Sequence, residues 1–283
     1  MDNNKAIKKM KECMELKGFA PSTQKNYIIN IKMFARNFKN PLEELQPEDA
    51  QEFLYGLVSK KFSHSYLITV YASIKFLYHY VFNKKHFMSN IPTAKKRNKL
   101  PQVLSSDEVI KIIKSASNLK HKAILSVIYS SGLRLSEAAK LKISDIDSKN
   151  MKIFIDQSKN NKDRYTILAK ITLNILREYY KKYRPKDWLF NGRYSSKPIS
   201  AKSIQAAFKK ALKQSQIGKS ATVHTLRHSF ATHSIDNGTH LLTLKEIMGH
   251  SSLKTTSVYL HISATRFSNV TSPLDMRGDV FNA

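Results

Sequence analysis

The chain has 283 residues, 41% of them hydrophobic, which suits two domains with real cores and excludes a disordered polypeptide. Its 48 Lys and Arg against 21 acids give a net charge of +27, a self-repelling field that a polyanion partner would relieve. The apolar runs, such as Ala123–Leu125 and Val127–Tyr129, are too short to span a bilayer, no signal-peptide core follows Met1, and the single Cys13 can form no internal disulfide, so a cytoplasmic protein away from the membrane is expected.

Residues 1–91 read as all helical. Ser22 or Thr23 can cap a helix whose apolar residues Tyr27, Ile31, Phe34 and Phe38 recur at helical spacing. Pro41 and Pro47 bracket a break, and a short helix follows over Asp49–Val58. Ser63 or Ser65 opens a third long helix with the stripe Leu67, Val70, Ile74, Leu77, Tyr78 and Val81. From Pro92 to Pro101 the pattern fails. Two prolines bound a run that holds Lys95, Lys96, Arg97 and Lys99, which reads as a basic linker able to lie along phosphates.

Past the linker, Ser105 and Glu108 have capping-box spacing and predict a helix running to about Ser117. A second helix covers Lys122–Tyr129 and stops near Gly132, and a short one starts at Ser136. The period then changes. Met151–Ile155 and Tyr165–Leu168 are β-rich and predict a hairpin around Ser158–Asp163. Helices are predicted at about Ile171–Tyr183, Ala201–Gln214, Leu226–Asp236, Leu242–Met248 and Thr255–Ile262. Gly238 and Gly249 sit where helix C-termini need a positive φ.

The charge excess is spread. Residues 1–100 hold 18 basic and 8 acidic side chains and the remainder holds 30 and 13, so no single basic tail explains it. Nucleic acid is the partner class that fits. Four pieces then supply what a phosphodiester transfer needs: Gly132–Glu137, Lys159 in the hairpin, His224–His228, and Gly249–Tyr259. Guanidinium forks match the charged oxygens of the transition state, and Arg134 and Arg227 are candidates. A leaving 5′-oxygen needs a proton, which a hairpin lysine can deliver. A tyrosine hydroxyl needs a base or a positive field to become a nucleophile, and His224 can accept its proton or bond the phosphate. The spacing of His224 and His228 also suits a metal, but the Glu of a His-Glu-x-x-His pair is absent and no acidic cluster offers a third ligand. No metal and no cofactor is expected.

Together and in this order, these pieces resemble the tyrosine recombinase (phage integrase) family, of the compact Xer-like type. Gly-Leu-Arg-x-Ser-Glu stands at 132–137, His-x-Leu-Arg-His at 224–228, and Gly-His with Thr-Thr and Tyr at 249–259. The resemblance implies a mainly α fold. Residues 1–91 would be a four-helix-type core-binding domain that contacts DNA, residues 92–101 the basic linker, and residues 102–283 a mixed, mostly helical catalytic domain with a small antiparallel sheet. It implies that Arg134 and Arg227 clamp the scissile phosphate, Lys159 is the general acid, His224 assists proton transfer, His250 contacts the phosphate and Tyr259 attacks. Glu137 and His228 would orient the clamp. The family pattern at the hairpin is often Gly-Lys-Gly-x-Lys-x-Arg. This chain reads Ser158-Lys159-Asn160-Asn161-Lys162-Asp163-Arg164, so Lys162, expected at least to touch DNA, is a rival acid.

The implied reaction is site-specific recombination through a 3′-phosphotyrosyl intermediate, with no ATP. Its partners would be double-stranded DNA with a crossover site and a synaptic tetramer, of this chain alone or with a second recombinase. The core-binding pattern begins almost at residue 1, so a type that reads only its crossover site is expected. Two alternatives on the same scaffold are a relaxing enzyme of the type IB topoisomerase kind and a DNA-binding regulator.

Overall fold

The computed structural model describes residues 1–93, 100–158, 162–194 and 196–262. The linker cations Lys95, Lys96, Arg97 and Lys99 and the hairpin residue Lys159 lie outside the described residues. The chain divides into two compact units that part between Asn98 and Lys99.

The first unit contains four α-helices, α1 Asn3–Leu16, α2 Pro21–Ala35, α3 Pro47–Ser59 and α4 His64–Tyr80. Pro21 and Pro47 each open a helix, where a missing N–H costs nothing and a fixed φ helps. Asp49 accepts from the Gln46 amide at 2.8 Å, and Ser63 caps α4 by accepting from the Tyr66 amide at 3.3 Å. The predicted stripes point inward. Ile31, Phe34, Val70, Ile74, Leu77 and Tyr78 are buried, and Met10 and Met14 join them from α1. The Tyr78 hydroxyl donates to the Leu42 carbonyl at 2.5 Å, which satisfies the polar end of a buried ring.

The second unit begins with α5 Ser106–Lys114, α6 Leu119–Ser131 and α7 Leu135–Ala139. The Ser105–Glu108 box is formed, with Ser105 accepting from the Glu108 amide at 3.2 Å and Glu108 accepting from the Ser105 amide at 2.7 Å. Helix α5 stops at Lys114, short of Ser117, because the chain needs a new start: the Asn118 side chain caps α6. Helix α6 buries every residue from Ala123 to Ile128, which makes it the central helix of this unit. It packs against α8 Lys170–Tyr183, α9 Ala201–Gln214 and α10 Val223–Asp236.

Three antiparallel strands, β1 Ile146–Asp147, β2 Lys152–Ser158 and β3 Lys162–Ile167, form a sheet in chain order. Ile155 pairs with Arg164 and Ile153 with Thr166, and the register is irregular between Ile155 and Ser158. Strand alternation puts Arg164, Thr166 and Leu168 on one face and the exposed Tyr165 and Ile167 on the other. Thr166 donates to the Ser131 carbonyl at 2.8 Å, tying the sheet to α6.

Helix α11 Leu241–Met248 follows, then α12 Leu253–Ser257 and a 3-10 turn at Val258–His261. Two further boundaries, both near the C-terminal motifs, differ from expectation. Helix α10 starts at Val223 rather than Leu226, because Thr225 accepts from the Thr222 amide at 3.0 Å and caps the helix earlier. The expected helix Thr255–Ile262 is an α-helical turn capped by Ser252 that tightens into the 3-10 turn carrying Tyr259.

Candidate active site

Helix α6 ends at Gly132 in the left-handed conformation, φ +62°. A Cβ there would meet the Phe230 ring at 2.4 Å, so glycine is required for space as well as for backbone. The turn delivers Arg134 to the start of α7. Glu137, three residues on, accepts from the Arg134 amide at 2.8 Å as a helix cap and from the Arg134 guanidinium at 2.6 Å. The same carboxylate receives both amino groups of Arg164 from β3, at 3.0 and 2.8 Å, and lies 3.8 Å from Arg227 of α10. One carboxylate thus gathers three arginines.

The C-terminal end of α11 gathers them a second time. Arg164 Nε donates to the Ile247 carbonyl at 2.9 Å, Arg227 to the Met248 carbonyl at 2.7 Å, and Arg134 to the Gly249 carbonyl at 2.8 Å. The last carbonyls of a helix have no partner within it and carry the negative end of its dipole, so cations settle there. Gly249 ends α11 at φ +61°, and a Cβ on it would press on the Arg164 side chain at 2.9 Å. Arg227 also donates to the Gly132 carbonyl, which locks it between two helix ends. Its side chain is 2% exposed, against 22% for Arg134, so Arg134 is the more accessible fork.

His250 follows the cap directly. Its Nε2 lies 3.0 Å from Arg227, which has only donors, so Nε2 accepts and Nδ1 carries the proton to Thr256 Oγ1 at 2.9 Å. The His250 ring stacks on that of Tyr259, with centroids 6.4 Å apart. Tyr259 is 3% exposed, and its hydroxyl lies 2.9 Å from His228 Nδ1. His224, one turn earlier on α10 and more exposed than His228, meets it edge-on at 4.4 Å.

Of the residues predicted from sequence, Arg134, Glu137, Arg227, His250, Tyr259, His224 and His228 form one constellation. Lys159 lies outside the described residues, and Lys162 opens β3 close by in the chain. His228 does not orient the arginines as expected; its bond is to the tyrosine hydroxyl. Two contributors were missed. Arg164 is as buried as Glu137, and its only sequence signal is its place at the end of the Lys-x-x-Lys-x-Arg run. Thr256, which orients His250, is the second residue of the Thr-Thr pair.

Burial and the arginine field act together on the titratable groups. Desolvation first, then Arg227 and Arg134, hold His250 at about 3; desolvation, His224 and Arg227 hold His228 at about 4. Desolvation raises Tyr259 above its ordinary 10, against the pull of Arg227 and Arg134. Desolvation works to raise Glu137 too, but the bonds from Arg164 and Arg134 outweigh it and leave the carboxyl at about 2. The second unit is therefore expected to weaken in acid in two overlapping windows. His228 and His250 protonate more readily when unfolded, so stability falls as pH drops from about 6.5 toward about 4 and 3. Glu137 stabilises above its ordinary 4.5, and that contribution disappears between about 4.5 and about 2. Urea midpoints across this range check the prediction; a flat profile between pH 6.5 and 4.5 contradicts the histidine part.

Among the described residues, no group of three or more His, Cys, Asp or Glu is placed to hold a metal ion. No described helix is long and apolar enough to cross a membrane.

Both units match known proteins. Residues 102–266 match the phage integrase family and residues 7–86 the phage integrase N-terminal SAM-like domain. A putative integrase/recombinase of Sinorhizobium fredii, y4qK, is 36% identical over 270 residues, covering 95% of this chain and 88% of its own. Tyrosine recombinase XerD of Listeria innocua is 29% identical, covering 90% and 92%. Among solved structures, XerA recombinase shares 26% identity at a TM-score of 0.53, covering 99% and 98%. A lambda integrase dimer bound to a COC′ core site reaches a TM-score of 0.75 at 18% identity, covering 90% and 97%, which shows a shared fold. The chain belongs to the phage integrase family, as a tyrosine recombinase of the compact Xer-like type.

Proposed function

We propose that this protein is a site-specific DNA recombinase that acts in the cytoplasm by breaking and rejoining strands through Tyr259. The observation that carries the reading is the tyrosine hydroxyl in contact with His228 and its ring stacked on His250, beside three arginines held by a single carboxylate. Tyr259 Oη attacks phosphorus and the bond to the 5′-oxygen breaks. A 3′-phosphotyrosyl link and a free 5′-hydroxyl result, and a 5′-hydroxyl from a partner strand reverses the step. The phosphoryl bond energy is retained, so no nucleotide cofactor is needed. Arg134 and Arg227 bind the non-bridging oxygens, and His250 joins them once the phosphate takes the Arg227 fork and the imidazole shifts its proton from Nδ1 to Nε2; His224 completes the set, and Glu137 holds the clamp.

The first unit is the core-binding domain, the second the catalytic domain, and the cations Lys95, Lys96, Arg97 and Lys99 form a tether along the phosphate backbone between them. Solved relatives include a lambda integrase tetramer bound to a Holliday junction, which supports a synaptic tetramer for this chain as well.

Nicked suicide duplexes of randomised sequence test the reading. The wild type is expected to form an SDS-stable adduct in EDTA without ATP, and duplexes recovered from that adduct should recombine with each other. Relaxation of supercoils without exchange would point to a topoisomerase, binding without an adduct to a regulator, and loss of cleavage in EDTA to a metal-dependent nuclease.

The leaving 5′-oxygen takes its proton from Lys159. Lys159→Ala is expected to slow cleavage roughly 100-fold or more, and far more than Lys162→Ala does. A 5′-bridging sulfur leaves without a proton, so it should restore the Lys159 variant selectively. Selective restoration of the Lys162 variant would move the role there.

A further inference from the structure

Proton transfer in this site has two candidate histidines, and the geometry separates them. His228 Nδ1 lies 2.9 Å from the Tyr259 hydroxyl, within direct transfer distance. His224 meets His228 edge-on, with its ring centre 4.4 Å from that of His228, and is the more exposed of the two. Tyr259 is itself only 3% exposed, which leaves little room for a water to take the proton instead.

We propose that His228, rather than His224, is the catalytic base that deprotonates Tyr259, an inference that rests on the recombinase reading above. In the balanced step, the Oη proton passes to His228 Nδ1 as the Oη–phosphorus bond forms. The phosphorus–O5′ bond breaks, and O5′ takes a proton from the hairpin lysine. The reverse reaction returns both protons. His228 therefore enters neutral, with its proton on Nε2 and Nδ1 free to accept.

The surroundings suit that role. The titratable groups facing His228 are His224 and Arg227 on its own helix, Tyr259 on the 3-10 turn, and His250 beyond the tyrosine ring. Tyr129 of α6 bonds to His233 instead, at 2.9 Å. Burial and the cationic neighbours keep His228 unprotonated near neutrality. A phosphodiester seated on Arg134 and Arg227 offsets part of that positive field, so the base strengthens when substrate is present.

The test is single-turnover adduct formation on the pool of nicked duplexes, followed against pH. His228→Asn keeps an oxygen where Nδ1 stood, so it preserves the hydrogen bond but takes no proton. Expected is a loss of roughly 100-fold or more, with the acid limb of the wild-type profile gone. His224→Asn should keep that limb. Added imidazole should partly restore His228→Ala and leave His224→Ala unchanged. Cleavage by His228→Asn at the wild-type rate, or loss of the limb and imidazole rescue at His224 instead, would overturn the assignment. No adduct from the wild type on any duplex would overturn the recombinase reading itself, and the base with it.

Discussion

Tyr259→Phe is expected to abolish covalent capture of DNA while leaving the protein folded and able to bind. The substitution removes one oxygen. The ring keeps its place against Phe230, Ala231, Leu244 and Met248 in the small core that also supports α11. The lost hydrogen bond to His228 costs about 0.5–1.5 kcal/mol, well within the reserve of an ordinary domain. Chemistry has no such reserve, since no other described tyrosine lies against the arginine cluster with its hydroxyl on a histidine of the same motif. The check is denaturing gel analysis of the Phe variant on suicide duplexes, alongside a binding titration. An adduct trapped by the Phe variant would remove Tyr259 as the nucleophile.

The second large effect is expected at Glu137. Its two oxygens receive the Arg134 amide, the Arg134 guanidinium and both amino groups of Arg164, and stand 3.8 Å from Arg227. Removing one member of a buried ion pair typically costs about 3–5 kcal/mol, because the partner charge stays buried and alone. Here three partners lose the carboxylate and α7 loses its cap. Glu137→Ala should therefore lower the unfolding free energy of the second unit by roughly that amount or more. Glu137→Gln should be milder in stability, because an oxygen still accepts, yet still impaired in cleavage, because its amide presents donors to donors. Denaturant unfolding with single-turnover cleavage at low temperature checks both. An alanine variant as stable as wild type would mean that the α11 carbonyls alone hold the arginines.

How far the sequence could be read depended on whether the partners of a residue were near it in the chain. The caps at Ser105 and Ser63 were legible, because Ser105 and Glu108 or Ser63 and Tyr66 lie three residues apart, whereas the expected cap at Ser22 or Thr23 is absent: Pro21 opens α2 after Ala20 with no side-chain cap. The apolar stripes of α2 and α4 were legible as well, as were the left-handed glycines at 238 and 249 and the helix stop at Gly132. Helix α1 was covered only by a general helical reading, since its buried Ala6, Met10 and Met14 are set among charged neighbours. Strand β1, two residues long, carries no period at all. In the site, motif order supplied the residues but not their contacts. Arg164 meets Glu137 across 27 residues and Ile247 across 83, and nothing local to β3 announces either partner. His228 and Tyr259 are separated by 31 residues. Spacing on α10 suggested only that His228 shares a side with His224, and it took the packing of the 3-10 turn against that helix to bring the hydroxyl to Nδ1.

The end of α11 bears on how much charge the site holds. Three guanidinium groups are fastened by the carbonyls of Ile247, Met248 and Gly249, and a carbonyl carries no formal charge. Had three carboxylates done the fastening, the cluster would be electrically neutral and would offer an incoming anion nothing. With Glu137 as the carboxylate shared by these arginines among the described ion pairs, the cluster of three guanidinium groups and one carboxylate keeps an imbalance of two positive charges. A phosphodiester brings one negative charge, and a tyrosine that has shed its proton brings a second. The five-coordinate phosphorus formed when they meet is a dianion, so the imbalance equals the charge of the transient species rather than that of the resting DNA. Such a site favours the transition state over bound substrate by the attraction to that second charge, which is the differential that accelerates a reaction. A peptide backbone turned end-on is what allows so many cations to be crowded together without being cancelled.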